Sequence, residues 1–289
     1  MRKLIYALAG LALATPMAYA AEDFSVGPQY DTTHVYVAPA DVDAFVRSFA
    51  ATFGGQSTKQ AIATVTPTAS STSTQLVRTP SGAVSVFGFR TPVPYPFGAE
   101  RTGYLVTNVD EAVVAANAHG AATLVAPFDD PIGRDAVITW PGGVNMQFYS
   151  HTKKPDYPAL EHVPENRIYL PAQSADKFIE AFVAFAHGKV DSDAKAPGTE
   201  VGQKEGDYRR VRISSRFGKA TVIVTQGHLS WPYGTELTGY EVSDLDATLQ
   251  RARDSGAKVV VDAHAEGQRK AAMVQFPGGH VAEIHSGGR

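Results

Sequence analysis

Tyr95-Pro96-Phe97-Gly98-Ala99-Glu100-Arg101-Thr102-Gly103-Tyr104 returns 136 residues later as Trp231-Pro232-Tyr233-Gly234-Thr235-Glu236-Leu237-Thr238-Gly239-Tyr240, with six of the ten positions identical. Trp140-Pro141-Gly142-Gly143 returns at the same spacing as Phe276-Pro277-Gly278-Gly279. Two separate motifs held in one register are the signature of a duplicated domain. Where the copies agree they show what the fold needs; where they differ they show what each has changed.

Between the copies, residues 152–165 are polar, rich in proline and without periodicity, and read as a linker. The reading divides the chain into a first domain over 30–151 and a second over 166–287. Each opens with a strand, Thr33–Val37 and Arg167–Leu170, followed by a helix. Val42, Phe45, Val46, Phe49 and Phe53 share one helical face, as do Ala175, Phe178, Ile179, Phe182 and Ala186. A hairpin follows in each copy, Gln75–Arg78 with Val84–Arg90 and Tyr208–Ile213 with Ala220–Thr225. Thr68–Thr74 reads as a flexible Ser/Thr-rich approach to the first of these. Strand and helix then start again. Asn108 and Asp244 stand where N-caps belong, ahead of helices over 109–119 and 245–255 that end at Gly120 and Gly256. Three strands close each domain, with Pro-Gly-Gly as the last turn. The pattern predicts an α+β chain of four βαβββ units arranged as two pairs.

Residues 1–20 stand apart. Arg2 and Lys3 precede an apolar run from Leu4 to Ala14, and Ala18-Tyr19-Ala20 supplies a small-x-small site. This is the pattern of a secretory signal peptide cut after Ala20, which implies a periplasmic or secreted protein. The run is too short to span a bilayer, and no later segment reaches that length. The chain has no cysteine, which excludes disulfides, thiolate nucleophiles and thiolate metal sites. A net charge of −3 excludes an overall basic face for nucleic acid. The nearest approach to a basic patch, Arg209, Arg210, Arg212 and Arg216, alternates with apolar residues as on the solvent side of a strand. No Gly-x-Ser-x-Gly elbow, phosphate loop or His-Glu-x-x-His is present.

Four such units, with Thr33-His34-Val35-Tyr36-Val37 before Asp41 and closing strands of the form Pro-Gly-Gly-x-x-x-Glu-Ile, resemble the vicinal oxygen chelate superfamily. That group includes glyoxalase I, bleomycin-resistance proteins and extradiol dioxygenases. The resemblance implies two tandem glyoxalase-like half-open barrels, each cupping a small ligand, often beside a divalent metal. In metal-using members the ligands are a His opening the first strand of a unit and a Glu in the last strand. Carried onto this chain, the first domain offers His34, Arg101 and Gln147; the second offers Arg167, Leu237 and Glu283. Neither is a His/His/Glu set, and an arginine does not ligate.

Strand alternation and the resemblance together give the expected linings. In the first cup these are His34, Tyr36, Gln147 and Tyr149, with Arg101 at the edge. In the second they are Arg167, Tyr169, Glu283 and His285, with Arg167 paired to Glu283 where a cation would have stood. A rival arrangement uses Glu283 and His285 as a metal or acid–base pair completed by His264 or by His280, the latter beside a turn and read as solvated. His34, Glu283 and His285 are the only weak candidates for metal ligands. Tyr95, Phe97, Trp231 and Tyr233 read first as turn residues and second as an aromatic lip over the cups.

Three functions follow. The first is an exported, bleomycin-resistance-like protein that binds a small organic molecule without metal, as a monomer or homodimer. The second is a metal-dependent lyase, isomerase or dioxygenase of the same superfamily. The third is a structural module with filled cups. The ligand set favours the first.

Overall fold

The computed structural model describes residues 24–225, 231 and 234–287; the signal-peptide reading of residues 1–20, Pro232 and Tyr233 lie outside them. Unit one runs β1 (Thr33–Tyr36), α1 (Val42–Phe53), two short edge strands β2 (Gln56–Ser57) and β3 (Ala61–Ala63), β4 (Thr72–Thr79) and β5 (Gly82–Phe89). Unit two runs β6 (Thr102–Leu105), α2 (Val109–Ala118), β7 (Ala122–Asp129), β8 (Gly133–Trp140) and β9 (Val144–His151). Unit three has β10 (Glu165–Pro171), α3 (Ala172–Phe185), β11 (Lys189–Pro197), β12 (Asp207–Ser215) and β13 (Gly218–Thr225). Unit four has β14 (Glu236–Glu241), α4 (Leu245–Asp254), β15 (Lys258–Glu266), β16 (Arg269–Gln275) and β17 (Val281–Ser286).

The first two units form one sheet of order β2-β4-β5-β1-β6-β9-β8-β7, with β3 also on β4; the last two form β11-β12-β13-β10-β14-β17-β16-β15. In each sheet the first strands of the two units meet antiparallel at the centre, and each runs parallel to the last strand of its own unit. Two four-stranded halves so joined curl into the two tandem half-open barrels the sequence predicts. The caps form as expected: Asn108 accepts from Glu111 N–H and Asp244 from Ala247 N–H. At Thr68–Thr74, Thr66 Oγ1 donates to Thr68 O and lies 2.8 Å from Ser70 Oγ, which can donate to it, and β4 already starts at Thr72.

The helices do not close separate cores. α1 packs Phe45, Phe49 and Phe53 against Tyr240 and Phe276 of the second domain, and α3 packs Phe182 and Phe185 against Trp140 of the first. This exchange explains both repeats. The aromatic residue before each Pro-Gly-Gly enters the other domain's helix face. The glycines of those turns sit at φ +91° and +84°, where a Cβ would stand 2.6 Å from Leu170 at Gly142 and 2.5 Å from Val37 at Gly278. Each turn therefore seats on the opening strand of the opposite domain, and only glycine fits. In the other repeat the threonines and tyrosines face this interface: Thr102 Oγ1 donates to Glu236 at 2.9 Å, Thr33 and Thr238 hydroxyls lie 3.3 Å apart, and Tyr240 is fully buried. The concave faces are left for chemistry.

Candidate functional site: two unequal cups

In the first cup, β1 contributes His34 and Tyr36, β5 contributes Ser85 and Phe87, β8 contributes Asp135, and β9 contributes Gln147 and Tyr149. They line one cavity of about 510 Å³, within the size range of small-molecule sites. Phe97 reaches in from the repeated loop, and Tyr157 of the linker stands at the mouth with Arg78 over its ring at 4.6 Å. His34 is buried, its ring laid over Gly103: a Cβ there would stand 2.7 Å from His34 Nε2. Behind the ring lies Glu100, fully buried, with Oε1 3.5 Å from His34 Nδ1 and accepting from the Tyr36 hydroxyl. Burial, then the Glu100 charge, push the Tyr36 hydroxyl well above its ordinary pKa, so it stays a donor. Tyr149 donates to Asp31 O at 3.0 Å and is likewise pushed up by burial and by Asp31. Burial first, then Asp130 and Asp31, raise the Asp135 carboxyl well above the usual range.

The second cup is packed. Tyr169, Val201, Ile223, Leu237 and Met273 fill one end with an apolar cluster. The other end holds buried ions. Arg167 grips Glu266 with both terminal nitrogens, each at 3.1 Å, and donates to Glu165 at 3.0 Å. Arg269 joins the same two carboxylates at 3.0–3.1 Å. Arg210, with Tyr208, holds Glu200. Burial opposes charge on Glu165 and Glu266, but Arg167 and Arg269 outweigh it and hold both carboxyls well below the usual range.

Several placements differ from the sequence reading. Glu283 does pair with Arg167, but at 4.0 Å, and its short contact is with His285 Nδ1 at 2.8 Å; the nearer partners of Arg167 are Glu266 and Glu165 at 3.0–3.1 Å. Glu165 reads in sequence as the end of the linker, and Glu266 lies on the sheet's far edge, where only the curl of the sheet brings it to Arg167. Arg210 turns inward to the ions, not to solvent, while Arg209 faces outward to Asp193 and Asp176. His264 lies against Trp231 (ring centroids 4.7 Å apart) and bonds Asp262 O. Tyr95 is exposed, while Phe97 is buried and belongs to the first cup. Arg101 is not at that cup's edge. It lines a separate cavity of about 480 Å³ between the domains, with Tyr36, Asn145, Glu236 and His280. His280 is buried, not solvated; burial and then Arg101 bring its pKa down to about 3. Burial raises Glu236 to about 7. Asp135 was missed, although alternation along β8 opposite Tyr149 could have found it.

The sheet order, two cupped sheets and central antiparallel pair decide the fold class. The fold is that of the vicinal oxygen chelate proteins. A triple mutant of 4-hydroxymandelate synthase from Streptomyces coelicolor superposes with a TM-score of 0.60 at 14% identity, covering 91% of this chain and 94% of that one. For 2,2',3-trihydroxybiphenyl 1,2-dioxygenase from Sphingomonas wittichii the figures are 0.56, 12%, 92% and 92%. For the Mn(II)-bound glyoxalase from Novosphingobium aromaticivorans they are 0.52, 16%, 91% and 83%. No family model and no curated protein sequence matches the chain.

A divalent cation in a vicinal oxygen chelate cup needs several imidazole or carboxylate donors converging on one point. The first cup brings His34 and the Gln147 amide to either side of Gly103, which has no side chain to add. The second puts the Arg167 guanidinium in that corner, where it repels a cation. Among the described residues no three His, Asp or Glu side chains converge in such a group. The residues present do not fit the metal.

Proposed function

We propose that this chain binds a small organic molecule in its first cup, without a metal ion, and that the second cup is structural. The observation that carries this reading is the contrast at matching positions. His34, Tyr36, Gln147 and Tyr149 border an open cavity, while Arg167, Tyr169, Glu283 and His285 are packed and paired. The lining suits a ligand with an apolar or aromatic body and a polar end. The sequence of residues 1–20 supports export, so the ligand would be met outside the cytoplasm. A thermal-shift screen of aromatic amines, alcohols and acids tests the reading. Stabilisation that is lost in His34→Ala or Gln147→Ala supports it. Stabilisation unaffected by both, but lost on changing Arg101, would move the site to the interdomain cavity.

A second reading, an enzyme, has two supports. Proteins of similar fold include dioxygenases and a Mn(II)-bound glyoxalase. Within the cup, a buried carboxylate stands behind an imidazole, the pairing that orients a general base. Turnover of a bound ligand, abolished in Glu100→Gln while binding persists, would establish it.

A further inference from the structure

Away from Lys59 at the rim and Arg78 over Tyr157 at the mouth, the charges on the wall of the first cup are acidic. Asp31, Asp130 and Asp135 all line it, and among the described residues none of the three makes an ion pair. Asp31 is held by the Ser85 hydroxyl, and Asp130 by the backbone N–H groups of Ile132 and Gly133. Tyr149 faces Asp135 across the β8–β9 ladder and bonds the Asp31 backbone, so one residue borders both aspartates. The only lysine or arginine on the wall, among the described residues, is Lys59, exposed at the rim.

The uncharged polar groups point the same way. His34 is 2% exposed, faces the cup and makes no hydrogen bond through Nδ1, which is turned toward Glu100. A proton on that nitrogen leaves Nε2 as an acceptor on the other side. The Tyr36 and Tyr149 hydroxyl protons are already committed, to Glu100 and to Asp31 O. The Gln147 amide is engaged with Asp135, so among the imidazole and phenol groups the spare capacity is to accept, which matches a ligand that donates.

Resting on the reading of this cup as a ligand site, we infer that its ligand is an organic cation, a primary or secondary amine carried on an aromatic or alicyclic body. Phe87, Phe97 and Tyr157 receive the body, and Asp135 and Asp31 receive the ammonium group. A buried carboxylate that meets a cation regains by pairing what it lost on leaving water. Aromatic faces add attraction for the same charge.

Isothermal titration of the full chain with 2-phenylethylamine, 2-phenylethanol and phenylacetate at neutral pH and low salt tests this. The three share a ring and differ in the polar end. The amine is expected to bind at least about 10-fold tighter than the alcohol, with phenylacetate weakest. Asp135→Asn should lower amine affinity about 10-fold and alcohol affinity much less, and Asp31→Asn provides a second variant should the first not fold. Alcohol or phenylacetate binding as tightly as the amine overturns the cation inference and leaves the cup reading standing. Equal amine affinity in wild type and both variants also overturns it. If none of the three binds, the inference falls, and failure of a wider neutral aromatic panel takes the cup reading with it.

Discussion

The two cups share a strand order, a glycine at the same point of the second unit's first strand, and an aromatic loop, yet one is open and the other is closed by charge. In the second, Arg167 from β10 lies over Gly239 and gathers carboxylates from three strands. In the first, His34 from β1 lies over Gly103 and gathers one, from behind. The opening strand thus carries an imidazole in one cup and a guanidinium in the other, and under the proposed reading that exchange helps to separate a cup that receives a ligand from one filled by its own ion pairs. The lesson is that a duplicated scaffold can keep its interface and divide its interiors.

The contrast breaks most readily at Arg167. Arg167→Ala should cost about 3–5 kcal/mol, because Glu165 and Glu266 are left buried without one of their cations. His34→Ala should cost on the order of 1 kcal/mol, since its ring satisfies no hydrogen bond there. Urea unfolding of the two variants gives the comparison, and equal losses would mean that the ion network does not hold the second domain. The glycines sharpen it. Gly239→Ala places a Cβ 2.7 Å from Glu283 Oε2 and 3.2 Å from Arg167 Cδ, both inside the network, and should cost about 1–3 kcal/mol. Gly103→Ala meets only the His34 ring, which borders the cavity, and should cost less than half as much while weakening ligand binding.

Acidity separates the cups next. Glu165 and Glu266 have folded pKa values below their unfolded ones, so their contribution is present above the ordinary glutamate pKa and is lost as pH falls toward the folded values. Asp135 is the reverse: its folded pKa is raised, so stability is greatest below the ordinary aspartate pKa and declines as pH rises through the folded value. Asp135→Asn should therefore stabilise the protein at neutral pH, by about 1–2 kcal/mol, and flatten that part of the pH profile. Destabilisation at neutral pH would mean the carboxylate is paired there. The smallest effect is a symmetric one. Asn108→Ala and Asp244→Ala should each cost about 1 kcal/mol by thermal melting, because the caps are equivalent in both copies.

Local signals carried far in this chain. The helical stripes, both caps and the closing hairpins were legible because each depends on residues a few positions apart, and the duplication because two motifs recur in one register 136 residues on. β11 was not: Lys189–Pro197 is charged and almost wholly exposed, as an edge strand should be, and shows no apolar alternation. The reach of the Pro-Gly-Gly turns into the opposite domain was hidden for another reason, since hairpin chemistry alone accounts for their sequence. His34, Tyr36, Gln147 and Tyr149 were placed together by period-two reading of β1 and β9 combined with the barrel that the resemblance implies. Glu266 and Arg269 were not, because their meeting with Arg167 depends on how far the sheet curls, and Glu165, two residues from Arg167 on β10, reads in sequence as linker.

Metal content is the most direct check on a fold whose cation corners have been rewritten. Protein purified without chelator or metal-affinity tag, then analysed by plasma mass spectrometry, should carry manganese, iron, nickel and zinc well below one equivalent per chain. It should also melt at the same temperature with and without chelator. One tightly held equivalent, lost in His34→Ala or in Glu283→Gln, would contradict the metal-free cup and make metal-assisted catalysis the better reading.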